Sequence, residues 1–274
     1  MGTRQRFGLL ALTAASAFLS SSWVHAPAQG ATAAGTDIAS AQTSTRSSDR
    51  AARSTEPVHY DDSSLVLLAS YSVTNGQPAI PASDANTDRD AHLWALVSAT
   101  LPDGAVQSIR QLNVVSDGRD GTLGMVHRSS VTVGSWVLSI DPAEADDVLV
   151  ATLVHEYAHM LTLGTDDLTS NAASKNSCDG IRIEIGCAQH GSALEAWHDE
   201  FWADSPEPAP TDTRKFVSAY AASSVHEDLA ESFMAWTLDQ VTRPSVAVRA
   251  RFAFFASRPE FVAARDAILA KLSH

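Results

Sequence analysis

The sequence predicts an α+β fold: a small mixed β-sheet packed on one central helix, followed by a mainly helical C-terminal part. Three observations carry this. Short apolar runs that end in turn residues stand in the first half of the chain. A long, almost wholly apolar helical stretch follows them and includes "TLVHEYAHMLTL" at 152–163. Beyond it, apolar residues recur at helical spacing nearly to the end.

"SLVLLASYSV" has the apolar, β-favouring content of a strand. "RDAHLWALVSATL" sets Leu93, Leu96, Val97 and Leu101 on one helical side. "IRQLNVVSDG" and "GSWVLSIDP" read as strands closed by turns, with "TLGMVHR" a fainter strand between them. "DPAE" then opens the central helix, with Asp141 as N-cap, Pro142 at the first helical position and Glu144 three residues after the cap. Gly164 is its stop signal. So bounded, 142–163 is apolar nearly all round and must be buried on most of its surface. "GSALEAWHDEFW", "TRKFVSAYAAS" and "SVHEDLAESFMAWTLDQV" continue as helices, and two more begin near Pro244 and Pro259. Trp197, Phe201 and Trp202 read as a core stripe.

The chain has 274 residues and is 45% hydrophobic, enough to bury a sizeable core. Its formal charge of −13 argues against nucleic acid or an anionic membrane as partner, since both would repel it. Residues 1–31 combine Arg4 and Arg6, an uncharged apolar run from Phe7, and small residues from Ala26 to Ala31. That is the pattern of a secretory signal peptide, so a secreted protein with no membrane attachment after cleavage is expected. Residues 32–58 hold almost no large apolar side chain and read as a disordered linker or pro-segment. The folded domain is expected over 59–274, as a monomer. After an export signal the only two cysteines, Cys178 and Cys187, are expected to form a disulfide.

At helical spacing His155 and His159 project from one face, about 6 Å apart. That separation suits two imidazoles on one tetrahedral Zn²⁺. Glu156 lies beside them, placed to take a proton from an attacking water. His-Glu-x-x-His is the metallopeptidase signature. Three fixed positions also occur by chance, and satisfied core histidines are the alternative. The apolar context favours the site, because an unpaired carboxylate buried there would be costly.

Two histidines leave such a site one ligand short. The metzincin pattern needs Gly and His where this chain has Thr162 and Thr165. "GTDD" offers Asp167, at short spacing from His159. "SVHEDLAESF" offers Glu227 and Glu231, four apart on one helical face. Glu227 fits as third ligand and Glu231 as the carboxylate that holds an imidazole by its other nitrogen. His226 is a further conceivable ligand. A structural reading competes: "SVHE" from Ser224 is a capping box. One carboxylate cannot point both at its own helix end and at a metal.

"TLVHEYAHMLTL", "GCA", "DEFW" and "FVSAYAASSVHEDLAESF" together resemble a group of secreted bacterial zinc-binding metallopeptidases of the gluzincin type. Their catalytic domain is similar to that of anthrax lethal factor. "VVSDGRDGTLGMV" and "WVLSID" look like the same group, so the resemblance spans roughly Leu101 to Leu238. It implies a zincin-like fold and one Zn²⁺ per chain on His155, His159 and Glu227, with Glu156 as general base. Glu231 matches the second glutamate of the group's pattern. Tyr220 matches a tyrosine that faces the metal, whose phenol stabilises an oxyanion. Ala158 stands where the group often has Gly. The implied activity is hydrolysis of peptide bonds in a peptide or protein substrate. The competing expectation is a non-catalytic zincin-like binding protein, at the cell surface or in the medium, which would have no need of Glu156.

Overall fold

Val114, Val137, Leu138 and Ile140 are almost completely buried, and the strands that carry them take the centre of the sheet. β3 (Ile109–Ser116) and β5 (Trp136–Ile140) pair in parallel there, as strands covered on both faces do. β1 (Val66–Thr74) lies antiparallel to β3 and β4 (Gly124–Arg128) antiparallel to β5. The two-residue β2 (Gln77–Pro78) completes the order β2-β1-β3-β5-β4, which leaves β4 at an edge among the described residues. This computed structural model describes residues 65–81, 85–116, 123–169, 178–183, 185–205, 209, 212 and 214–273. The expected signal peptide at 1–31 and linker at 32–58 lie outside those residues.

Among the described residues seven α-helices accompany two small sheets, so the fold is α+β with a mixed sheet, as the sequence predicts. α1 (Ala85–Thr100) and α2 (Asp103–Ser108) precede β3, and α1 buries Leu93, Trp94 and Val97. α3 (Asp146–Thr162) is the long central helix, with Leu149, Leu153, Val154 and Ala158 buried. α1 is also tied to its start, where His92 Nε2 pairs with Asp146 Oδ1 at 3.0 Å.

The predicted start of α3 is corrected. Asp141 caps no helix. Its Oδ1 accepts the Ala143 N–H at 2.8 Å, which holds the Pro142 segment in a turn. The helix begins after Ala145, and Asp146 and Asp147 place negative charge at its positive end. At the other end Leu163 is the C-cap. Gly164 follows without a left-handed φ, its carbonyl accepting the Asp167 and Leu168 N–H groups.

"TRKFVSAYAAS" is corrected too. Its described part contains only one 3₁₀ turn, Tyr220–Ala222. Ser218 Oγ takes the Ala221 N–H, and Phe216 is buried against Trp202, so side-chain bonds and packing displace the helix ladder. A second sheet, in the order β6-β8-β7, is an element the sequence did not announce: β6 (Leu168–Thr169), β7 (Ile181–Ile183), β8 (Gly186–Ala188). Its strands are too short to show a period. The Cys178–Cys187 disulfide, with Cα atoms 5.6 Å apart, ties its hairpin as expected.

The remaining helices are α4 (Ala193–Phe201), α5 (Val225–Thr237), α6 (Val246–Ala256) and α7 (Pro259–Leu272). They close on an aromatic core in which Trp197, Phe233, Phe254, Phe255 and Phe261 pack ring to ring. The Trp197 stripe is therefore core, as read. This cluster holds α5 against α4, α6 and α7, and α5 packs separately on α3. Among the described residues no helix is long and apolar enough to cross a membrane.

Candidate metal centre

Two helices build the centre. On α3, His155 and His159 share a face, and their rings meet edge to face at 4.8 Å. On α5, Glu227 and Glu231 share the face turned toward them, as the i, i+4 spacing requires. Glu227 Oε2 lies 3.0 Å from His155 Nε2 and 3.4 Å from His159 Nε2, and the two nitrogens are 3.1 Å apart. All three residues belong to the one such group among the described residues. His226 and Asp167 do not join it.

That triangle fits a metal. Ligand atoms on a tetrahedral zinc with bonds of about 2.0–2.1 Å stand about 3.3 Å apart. Glu227 Oε2 is a buried oxygen close to both imidazoles, with no well-aligned hydrogen bond among the described residues. Three potential ligand atoms gathered this closely, one of them an otherwise unsatisfied carboxylate oxygen, suit a shared cation. The donor set of two imidazoles and a carboxylate suits Zn²⁺.

The capping conflict resolves into two half-roles. Ser224 Oγ accepts the Glu227 N–H at 3.3 Å, so the serine caps α5. The Glu227 carboxylate turns instead to the histidines. Burial alone would raise its pKa, but the attraction of the two imidazoles holds it far below the usual carboxylate range.

Glu231 Oε1 takes the His155 Nδ1–H at 2.8 Å, the position expected of a carboxylate that orients a ligand imidazole. Burial by itself would lower the His155 pKa, but Glu227, Glu231 and the charge of Glu156 raise it to about 10. His159 Nδ1 has no such partner among the described residues. The His226 ring lies 5.8 Å from that of His159, with Nδ1 3.0 Å from Ser224 Oγ. Burial lowers its pKa to about 4, so it is neutral.

Glu156 is buried between α3 and β4. The Val126 N–H hydrogen-bonds its carboxylate, while Oε2 has no partner among the described residues. Burial raises its pKa, with the two histidines opposing. Tyr220 is 53% exposed, but its hydroxyl end is enclosed and hydrogen-bonds Glu227. Desolvation of that hydroxyl and the Glu227 charge keep it protonated. Its ring is 6.0 Å from that of His155. Ser218 is the participant that sequence reasoning missed; a lone serine in a polar stretch gives no signal.

β4 can approach Glu156 only because position 124 is glycine. A Cβ there would stand 2.7 Å from Thr152 Cγ2 and 3.6 Å from Glu156 Cγ. Thr152 cannot simply turn away, since its Oγ1 donates to the Val148 carbonyl at 3.0 Å. Gly124→Ala is expected to push β4 off α3 at a cost of about 1–3 kcal/mol. Its urea midpoint should fall; an unchanged midpoint would contradict this packing.

The chain matches no protein-family model, no curated protein and no solved structure.

Proposed function

We propose that this protein is a secreted zinc metallopeptidase of the gluzincin type, with a zincin-like domain and a peptide or protein substrate. One observation carries the reading: His155, His159 and Glu227 converge on one point while the free oxygen of Glu156 stands beside them. Zinc held by those three residues supplies Lewis acidity and lowers the pKa of water. Glu156 accepts the proton at Oε2, its carboxylate steadied by Val126 N–H, and its raised pKa suits it to pass that proton on to the leaving amine. The Tyr220 hydroxyl stays protonated, and by turning from Glu227 it would donate to a developing oxyanion. Glu231 fixes the ring orientation and tautomer of His155. Among the described residues β4 is an edge strand of the sheet and runs past Glu156, so an extended peptide added there as a further strand passes the base. The leader-like residues 1–31 and the disulfide support export.

Metal analysis after purification without chelator should find one zinc per chain, and none would end the reading. Binding should also release protons. In the metal-free chain the His155 proton confers stability that is complete below pH 6.5 and is lost as pH rises through about 10. A metal needs that imidazole neutral, so uptake at neutral pH expels the proton, and apparent affinity climbs with pH. Titration calorimetry at pH 7 in buffers of different ionisation enthalpy measures this. Zero release would contradict the His155–Glu227 arrangement.

A further inference from the structure

Ser218 touches both halves of the site. Its hydroxyl donates to Glu231 Oε2 at 2.6 Å and accepts the Ala221 N–H at 3.0 Å. The other oxygen of Glu231 holds His155 Nδ1. We propose that Ser218 is a positioning residue of the metal centre, fixing the carboxylate that orients His155 and tying it to the turn that carries Tyr220. This rests on the metallopeptidase reading above.

A glutamate bonded at one oxygen can still rotate about its side-chain torsions. A second bond at the other oxygen sets the carboxylate plane, and with it the direction from which His155 Nδ1 is held. At 2.6 Å this is a hydroxyl-to-carboxylate bond of the strong, charge-assisted kind. A serine hydroxyl has one proton and two acceptor sites, so donating to Glu231 and accepting from Ala221 are compatible. Ala221 is completely buried and directly follows Tyr220. Loss of the hydroxyl therefore strips a partner from a buried N–H and from Glu231 together. One side chain thus links the imidazole's orientation to the placement of the phenol.

Three variants test this: Ser218→Ala, Ser218→Thr and Ser218→Val. Thr keeps the hydroxyl and Val is its isostere without one, so any cost of the added bulk is common to both. Zinc affinity is read by competition with a chromogenic chelator at fixed pH. The His155 Nδ1 proton is followed by imidazole ¹⁵N NMR of the metal-free protein. Ala and Val are expected to bind zinc about 10-fold or more weakly, with Thr near wild type. The Nδ1–H resonance should move in Ala and Val and stay in Thr. Equal zinc affinity of the Thr and Val variants, in a chain whose wild type does bind zinc, overturns the role of Ser218 alone. A wild type that binds no zinc overturns both this role and the metallopeptidase reading.

Discussion

Glu156→Gln is expected to keep one zinc per chain and to lose about 10²–10⁴-fold in kcat for peptide hydrolysis. Glutamine fills the same buried space, and its amide oxygen can still accept the Val126 N–H. What it lacks is a group that takes up a proton. None of the three converging ligand atoms belongs to residue 156, so metal content should stay unchanged. Zinc stoichiometry and cleavage of a peptide library, measured side by side, check both halves. Equal cleavage by wild type and variant would remove Glu156 from the chemistry. Binding of a peptide without cleavage by either would move the reading to a non-catalytic binding protein.

Asp228→Ala is expected to destabilise the fold by about 3–5 kcal/mol. Asp228 follows Glu227 in sequence but faces the other way, into the aromatic core. Its carboxylate accepts from Trp197 Nε1 at 3.1 Å, Trp202 Nε1 at 2.8 Å and Arg251 Nε at 3.0 Å. Arg251 is itself buried and lies over the rings of Phe201 and Phe216. Removing the carboxylate strands a buried guanidinium and two indole N–H groups. Urea unfolding of the metal-free chain measures the loss without contributions from the site. The double variant Asp228→Ala with Arg251→Met should recover much of it, because the cost lies in the unpaired charge rather than in the missing bond. A midpoint unchanged by the single variant would contradict this account.

The positions of β1, β3, β4 and β5 are close to those read from the sequence, because central and edge strands leave different apolar patterns. The start of α3 is four residues later than "DPAE" suggested. Asp141 satisfies a local turn there as readily as a helix end, and a short motif does not distinguish the two uses. "TRKFVSAYAAS" has helical composition, yet Ser218 and Phe216 commit its backbone elsewhere. Composition cannot register bonds to Glu231 or packing on Trp202.

By itself the sequence determined the elements whose causes are local. His155, Glu156 and His159 fall on one helical turn whatever the rest of the chain does, and two lone cysteines have only each other to pair with. Tertiary structure decided which carboxylate completes the triangle. Glu227, Asp228 and Glu231 lie within five residues, and each meets different partners. Glu227 faces the two histidines, Asp228 neutralises Arg251, and Glu231 holds His155 from behind. Helical spacing set the angle between those side chains. Only the packing of α5 between α3 and the aromatic core decided which angle faces the two histidines.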